Sequence, residues 1–94
     1  MDFCEAVHKV LSLFGQDIIN DIRFVNALND FQAFKEKPAL KFVLKQLIET
    51  KYLSVLILNI QNDTKREQIK YQLVNLRGIM PNLIDEILSA FLNE

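Results

Sequence analysis

The sequence predicts an all-α fold, a compact six-helix bundle in which residues 1–94 form a single domain. Hydrophobic residues make up 50 % of the chain and charged residues 24 %, proportions typical of one globular core. Only 2 Gly and 2 Pro are present, too few for the closely spaced turns of a β-sandwich. The abundant Leu, Ile, Lys, Glu and Gln residues favour helices.

The first helix is predicted to begin after Asp2, a good N-cap residue, with Glu5 in the turn that follows. Gly15 suits the position that ends this helix. Ile18 and Ile19 then lie between polar residues, so we expect a short turn that buries both. The apolar residues of the first helix recur at helical spacing and form one stripe: Phe3, Val7, Val10, Leu11 and Phe14.

The second helix is predicted to follow Asn20 or Asp21, either of which suits its N-cap. It should end at residues 29–30, an Asn-Asp pair that tolerates turn geometry. The loop that follows contains Phe31 and Phe34, and two aromatic side chains would hold it against the core. The inward positions of this helix are Phe24, Val25 and Leu28.

Pro38 predicts the start of the third helix, where its missing N–H costs nothing. Lys37, Lys41 and Lys45 recur every four residues and should line its exposed side. Residues 52–60 are ambiguous, since their β-branched content also suits a strand. A lone strand would have no partner, so we predict a short, almost fully buried fourth helix. The third helix should bury Leu40, Val43, Leu44, Leu47 and Ile48.

Two further helices are predicted in the last third of the chain. Thr64 and Glu67 match a capping box for the fifth helix, and Asp63 is a competing cap. Gly78 suits the end of this helix, and Pro81 suits the start of the sixth. The fifth helix should turn Ile69, Leu73 and Leu76 inward, and the sixth Leu83, Ile84, Ile87, Leu88, Phe91 and Leu92.

Residues suited to catalysis or metal binding are few. Cys4 and His8 lie four residues apart on the first helix, and this pair could begin a zinc site or act as nucleophile and base. A structural zinc site needs four ligands, whereas the chain has 1 Cys and 1 His. We interpret Cys4 as a half-buried small hydrophobe and His8 as a surface residue. We therefore expect no enzymatic activity, no metal site and no cofactor.

Charge is distributed unevenly along the chain. Residues 35–79 carry a net charge of +5, whereas residues 1–34 and residues 80–94 each carry −3. Such segregation suits association with a second copy or with a related helical domain. An ordinary solvated surface would also accommodate it.

The candidate protein-binding residues follow from this charge pattern. The basic set is Lys37, Lys41, Lys45, Arg66 and Lys70, and the acidic set is Asp2, Glu5, Asp85 and Glu86. We expect the two sets to lie on opposite sides of the domain and to meet in a head-to-tail homo-oligomer or with a related partner. The alternative is a small helical nucleic-acid-binding regulatory domain. The net charge of −1 disfavours it, because such domains are usually basic.

The sequence favours a cytoplasmic location and gives no sign of a membrane partner. The longest strongly apolar run, residues 52–60, is about half of what a membrane span needs. Asp2 and Glu5 lie where a signal peptide would carry basic residues. Whether the chain is a whole protein or the N-terminal module of a longer one is left open.

The run from Phe14 to Asp30, FGQDIINDIRFVNALND, resembles a recurrent bacterial pattern, FG-x-x-(I/L)-(I/L)-x-D-x-R-(F/L)-(V/L)-N-x-L-x-D. Pro38 and a Leu-x-x-Leu-Ile segment follow it, and residues 78–92 match a closing helix of the same pattern. Such modules are similar to small helical domains at the ends of bacterial signalling and defence proteins. Their size and helix count also resemble the death-fold superfamily and bacterial death-like or effector-associated domains.

This resemblance implies an adaptor that couples sensors to effectors by like-with-like association. It implies no catalytic residues. The sequence departs from the commonest form of the pattern because no Pro follows Asp30, and a segment from Phe31 to Phe34 stands there instead. The conformation of that loop is therefore an open point of the resemblance.

Overall fold

Six α-helices and one short 3-10 segment make up residues 2–92, the part of the chain that the computed structural model describes. The helices are α1 (Phe3–Phe14), α2 (Arg23–Asp30), α3 (Pro38–Glu49), α4 (Tyr52–Leu58), α5 (Asp63–Arg77) and α6 (Pro81–Leu92). The 3-10 segment (Gln16–Asn20) lies between α1 and α2. The predicted all-α six-helix bundle is confirmed.

Helix α6 is the centre of the bundle. It packs against α1, α3, α4 and α5, while α2 lies against α1 and α3. The radius of gyration is 12.3 Å, close to the roughly 12 Å expected for a compact chain of this length. Ile84 and Ile87 of α6 are completely buried, as are Val7 of α1 and Leu44 of α3. One core therefore serves the whole domain.

The start of the chain folds as its sequence predicts. The Oδ1 atom of Asp2 accepts a hydrogen bond of 2.8 Å from the backbone N–H of Glu5, which caps α1. Gly15 ends α1 with a φ of +86°, a conformation that side chains with a Cβ rarely adopt. Ile18 and Ile19 are both buried in the 3-10 segment. Phe14, however, was predicted to face inward and lies on the surface.

The entry to α2 differs from the prediction. Ile22 occupies the N-cap position, one residue after the two candidates, Asn20 and Asp21. Asp21 still contributes, since its Oδ1 atom accepts a 3.0 Å hydrogen bond from the N–H of Arg23, the first residue of the helix. Hydrogen bonds to this carboxylate, first from the backbone and then from the side chain of Arg23, hold the pKa of Asp21 below its usual range.

The loop after α2 is held by aromatic contacts, as predicted. Phe34 is buried, and its ring centroid lies 6.0 Å from that of Phe3 in α1. Gln32 adopts a left-handed conformation with a φ of +59°, and the N–H of Ala33 donates back to the carbonyl of Leu28. These contacts close α2 with a tight turn, so a Pro after Asp30 is not needed to order the loop.

Helix α3 buries the residues predicted for it, whereas α4 is less buried than predicted. The lysines predicted for the exposed side of α3 match less well, since Lys37 precedes the helix and Lys41 is half-buried. Pro38 begins α3, and the five predicted apolar residues of this helix are all buried. In α4 only Leu53 and Leu56 are buried, and Leu58 is 85 % exposed. The expectation of an almost fully buried fourth helix was therefore wrong, because α4 packs against α3 and α6 on one side and faces solvent on the other.

Helix α5 is the most peripheral element. Its N-cap is Asn62, whose Oδ1 atom accepts from the N–H of Lys65, so neither the predicted capping box nor Asp63 caps it. It packs mainly against α6, and of its predicted inward residues only Leu73 is buried, while Leu76 lies on the surface. Gly78 ends α5 in the predicted left-handed conformation, with a φ of +66°.

Candidate protein-binding surfaces

The predicted basic and acidic residues lie closer together than the sequence indicates. The Nζ atom of Lys37 donates to Oε1 of Glu86 over 2.6 Å. The Nζ atom of Lys70 donates to Oδ1 of Asp85 over 2.7 Å. The prediction that the two sets face opposite sides was therefore wrong: α6 presents its carboxylates to both basic elements, because it packs between α3 and α5.

Arg66 and Lys70 form contacts within α5 and with the residues around it. Arg66 donates from Nη1 to the carbonyl of Ile60 at 2.6 Å and from Nη2 to Asp63 at 2.9 Å. Lys70 is only 17 % exposed, and its hydrogen bond to Asp85 raises the pKa of its ammonium above the ordinary value of 10.5. Lys70 thus attaches α5 to α6, and Arg66 joins the start of α5 to the loop before it, so both are poorly placed to meet a partner.

The two acidic residues at the start of α1 differ in their roles. Asp2 serves as the N-cap, and the hydrogen bond from the backbone of Glu5 holds its pKa below the ordinary value of 3.8. The side chain of Glu5 is exposed. Asp2 therefore has a structural role, and Glu5 offers an exposed carboxylate that a partner can reach.

A basic surface remains on α3, and we call it the α3 face: Lys41, Phe42 and Lys45. Phe42 is 70 % exposed, Lys45 is exposed and Lys41 is half-buried. Within residues 2–92, no carboxylate forms an ion pair with either lysine. The sequence predicted the two lysines but not the phenylalanine between them, although Phe42 stands outside the buried spacing of α3 and could have been noticed for that reason.

A second surface is a groove of about 510 Å³ at the corner formed by the end of α1, the 3-10 segment and the outer side of α2. We call it the acidic groove. Phe14, which is 61 % exposed, Ile18 and Ala27 supply apolar surface to it. Its polar residues are Asp17, Asn20, Asp21, Arg23, Asn26 and Asp30.

The acidic groove was missed in the sequence, because each of its aspartates also has an ordinary explanation as a helix-end residue. Asp21 hydrogen-bonds the start of α2, and its Oδ2 atom lies 3.0 Å from Nε of Arg23. Asp17 and Asp30 form no ion pair within the described chain. The groove thus holds one neutralised carboxylate and two free ones.

Cys4 and His8 each have a structural explanation. The Nε2 atom of His8 donates to the carbonyl of Ala90 at 2.9 Å and so links α1 to α6. Cys4 is a half-buried free thiol. Across residues 2–92, no three His, Cys, Asp or Glu side chains come together as metal ligands would. The pair is therefore explained by packing.

No helix within residues 2–92 combines the length and the apolar character that crossing a membrane requires. No protein-family model, curated protein or solved structure matches the chain. The resemblance to death-like domains therefore stays a prediction from the sequence pattern. The two surfaces above are the features from which function has to be argued.

Proposed function

We propose that this chain is a non-catalytic protein–protein interaction domain, an adaptor that associates through helix faces with a second copy or with a related helical domain. The observation that carries the proposal is the exposed Phe42 on a basic helix face, matched by the exposed Phe14 beside free carboxylates. Exposed aromatic side chains next to unpaired charges are typical of contact surfaces, where aromatic residues supply affinity and charges supply specificity.

The resemblance to bacterial death-like domains supplies the setting of the proposal. In such a setting the domain would couple a sensor to an effector in signalling or in defence against phage. Association by like-with-like contact needs a surface on one copy that complements a surface on another. A domain with one free basic surface and one free acidic surface meets that requirement.

The alternative of nucleic-acid binding is weakened by the ion pairs. Three residues of the predicted basic set, Lys37, Arg66 and Lys70, already contact carboxylates of the same chain. A phosphate backbone would have to displace those carboxylates before it gained the same contacts. The two free lysines of α3 make a small basic patch for a nucleic acid.

Light scattering over a range of protein concentrations, at low and at high salt, tests the proposal. We expect a molar mass that rises with concentration at low salt and falls back towards the monomer at high salt, since salt screens exposed charges. A gel-shift titration with single- and double-stranded DNA and RNA provides the second arm. A strict monomer at low salt that shifts nucleic acid with steep salt dependence would reverse the assignment in favour of the alternative.

A further inference from the structure

We infer that the α3 face of one copy docks in the acidic groove of a second copy. The inference rests on the proposed function and names its contact. Phe42 would enter the groove and cover the exposed ring of Phe14, while Lys41 and Lys45 approach the carboxylates of Asp17 and Asp30. The occupant of the groove is thus a second copy of this chain.

The shapes of the two surfaces fit this arrangement. The exposed residues of α3 lie at positions 38, 39, 42, 45, 46 and 49, and those at 38, 42, 45 and 49 form a ridge along the outer side of the helix. Phe42 is the large apolar side chain near the middle of that ridge and is 70 % exposed. The acidic groove is concave and open, and its volume of about 510 Å³ exceeds what one aromatic side chain fills.

The charges are complementary as well. The α3 face brings two ammonium groups, and the groove offers Asp17 and Asp30, with Asp21 already paired to Arg23. Some charged residues elsewhere, such as Lys37 with Glu86, are paired within one chain. Others, such as Glu49 on α3 and Lys9 on α1, form no ion pair within residues 2–92. The free lysines of the α3 face and the free aspartates of the acidic groove can therefore pair between two copies.

The end of α2 gives a second, independent argument for a cationic occupant. Asp30 is the last residue of this helix, where the helix dipole already places partial negative charge, and the last turn contains no basic residue. The same holds for the last turn of α1, which ends at Phe14 beside the groove. A carboxylate at a helix C-terminus is locally unfavourable. A lysine of a partner copy would compensate for it.

The two surfaces share no residue, so the contact is heterologous: each copy can give its α3 face to one neighbour and its groove to another. Heterologous contacts produce closed rings or open filaments, according to the rotation between neighbours. A contact built on one ridge and one groove belongs to the small, transient class of interfaces. Association should therefore be weak, reversible and sensitive to salt.

The test uses two charge-reversed variants of the full chain. One carries Lys41→Glu and Lys45→Glu and keeps its groove; the other carries Asp17→Lys and Asp30→Lys and keeps its α3 face. Each alone should associate at least about tenfold more weakly than the wild type, because like charges now oppose each other. An equimolar mixture should associate again, since each α3 face then meets a groove of opposite charge.

Sedimentation velocity at low salt is the measurement, with circular dichroism to show that every variant is folded. A variant with Lys9→Glu and Lys65→Glu is the matched control, since it makes the same change of charge at exposed positions of α1 and α5. It should associate like the wild type. Phe42→Ala, which alters no charge, should weaken association by about tenfold or more if the ring is a central contact.

The outcomes separate this inference from the function on which it rests. If the wild type associates and both reversed variants associate equally well, the domain self-associates through another surface and the inference is overturned. The same holds if each variant is monomeric and the mixture stays monomeric. If the wild type itself is a monomer at low salt and high concentration, homotypic assembly fails altogether, and only binding to a related domain would keep the proposed function.

Discussion

Replacing the same residue type at two positions separates stability from binding. Phe24 is completely buried, and its ring centroid lies 6.3 Å from that of Phe91, so it joins α2 to α6. Phe42 is 70 % exposed on α3. Phe24→Ala and Phe42→Ala remove the same atoms, and only the first removes them from the core. We expect opposite effects on folding and on self-association.

The loss of unfolding free energy expected for Phe24→Ala follows from the burial of this side chain. Truncating a buried Phe costs about 3–5 kcal/mol, of which roughly 0.5–1.5 kcal/mol belongs to an aromatic pair such as that with Phe91. A domain of this size has a total stability of about 5–14 kcal/mol. The substitution therefore removes a large part of it and lowers the melting temperature by roughly 4–8 °C for each kcal/mol. Phe42→Ala should stay within about 0.5 kcal/mol of the wild type.

Urea unfolding followed by far-ultraviolet circular dichroism measures both free energies of unfolding. The urea concentration at the unfolding midpoint should fall for Phe24→Ala, while the dependence of the free energy on urea stays unchanged. For Phe42→Ala the midpoint should equal that of the wild type. Should Phe24→Ala prove too unstable to purify, Phe24→Leu, which keeps most of the volume, gives a smaller loss in the same direction. If Phe24→Ala unfolded like the wild type but abolished association, our assignment of the α2 corner as structural would be refuted.

Three further predictions concern local contacts, each measured by the same urea titration. Asp2→Asn keeps the cap, so its stability should approach and then exceed that of the wild type as the pH falls below the ordinary value of 3.8 and through the lowered pKa of folded Asp2. Lys70→Ala should cost about 1–2 kcal/mol and Lys37→Ala at most about 1 kcal/mol, because Lys70 is far less exposed. Gly78→Ala should cost about 1–2 kcal/mol at a φ of +66°, and Gly78→Asn less.

Each of these predictions has an outcome that contradicts it. For Asp2, the sign follows from its lowered pKa: the carboxylate contributes fully above its unfolded value and the contribution is lost as the pH falls through the folded value. A constant difference between Asp2→Asn and the wild type from about pH 7 to about pH 2 would contradict that. Equal losses for the two lysines would show that burial is unimportant here. An unchanged Gly78→Ala would place the cost of the left-handed conformation near zero, since no neighbouring atom lies within 4 Å of the added Cβ.

The parts of the fold that the sequence predicted are those in which local signals agree. In α3 a Pro at the start and apolar residues at regular spacing coincide, and all five predicted residues are buried. The predicted N-cap of α5 was wrong because three consecutive residues are all good N-caps: Asn62, Asp63 and Thr64. The choice among them depends on where the chain leaves α4. That is set by tertiary packing and not by the three residues.

The prediction of which α5 residues are buried was wrong for a related reason. Leu73 and Leu76 both belong to its apolar pattern, but α5 has essentially one neighbour, α6, and one neighbour covers a narrow strip. The pattern of a helix shows which side is apolar, and the number of helices around it decides how much of that side is covered. The ion pair between Lys37 and Glu86 could not be predicted from the sequence either, because 49 residues separate the two in the chain.

The segregation of charge along the chain has two different consequences. The basic middle and the acidic C-terminal segment attract each other within one molecule, since Lys37 and Lys70 bind Glu86 and Asp85 and so fasten α6 between α3 and α5. The acidic N-terminal segment finds little of this compensation, since within residues 2–34 Asp21 alone forms an ion pair, with Arg23. Its free carboxylates at Asp17 and Asp30 are therefore left to the solvent or to a partner. In the basic segment, the lysines of the α3 face are likewise left without an ion pair in the part of the chain that the structure describes. The free lysines of the α3 face and the free carboxylates of the acidic groove are the basic and acidic surfaces that we propose to meet.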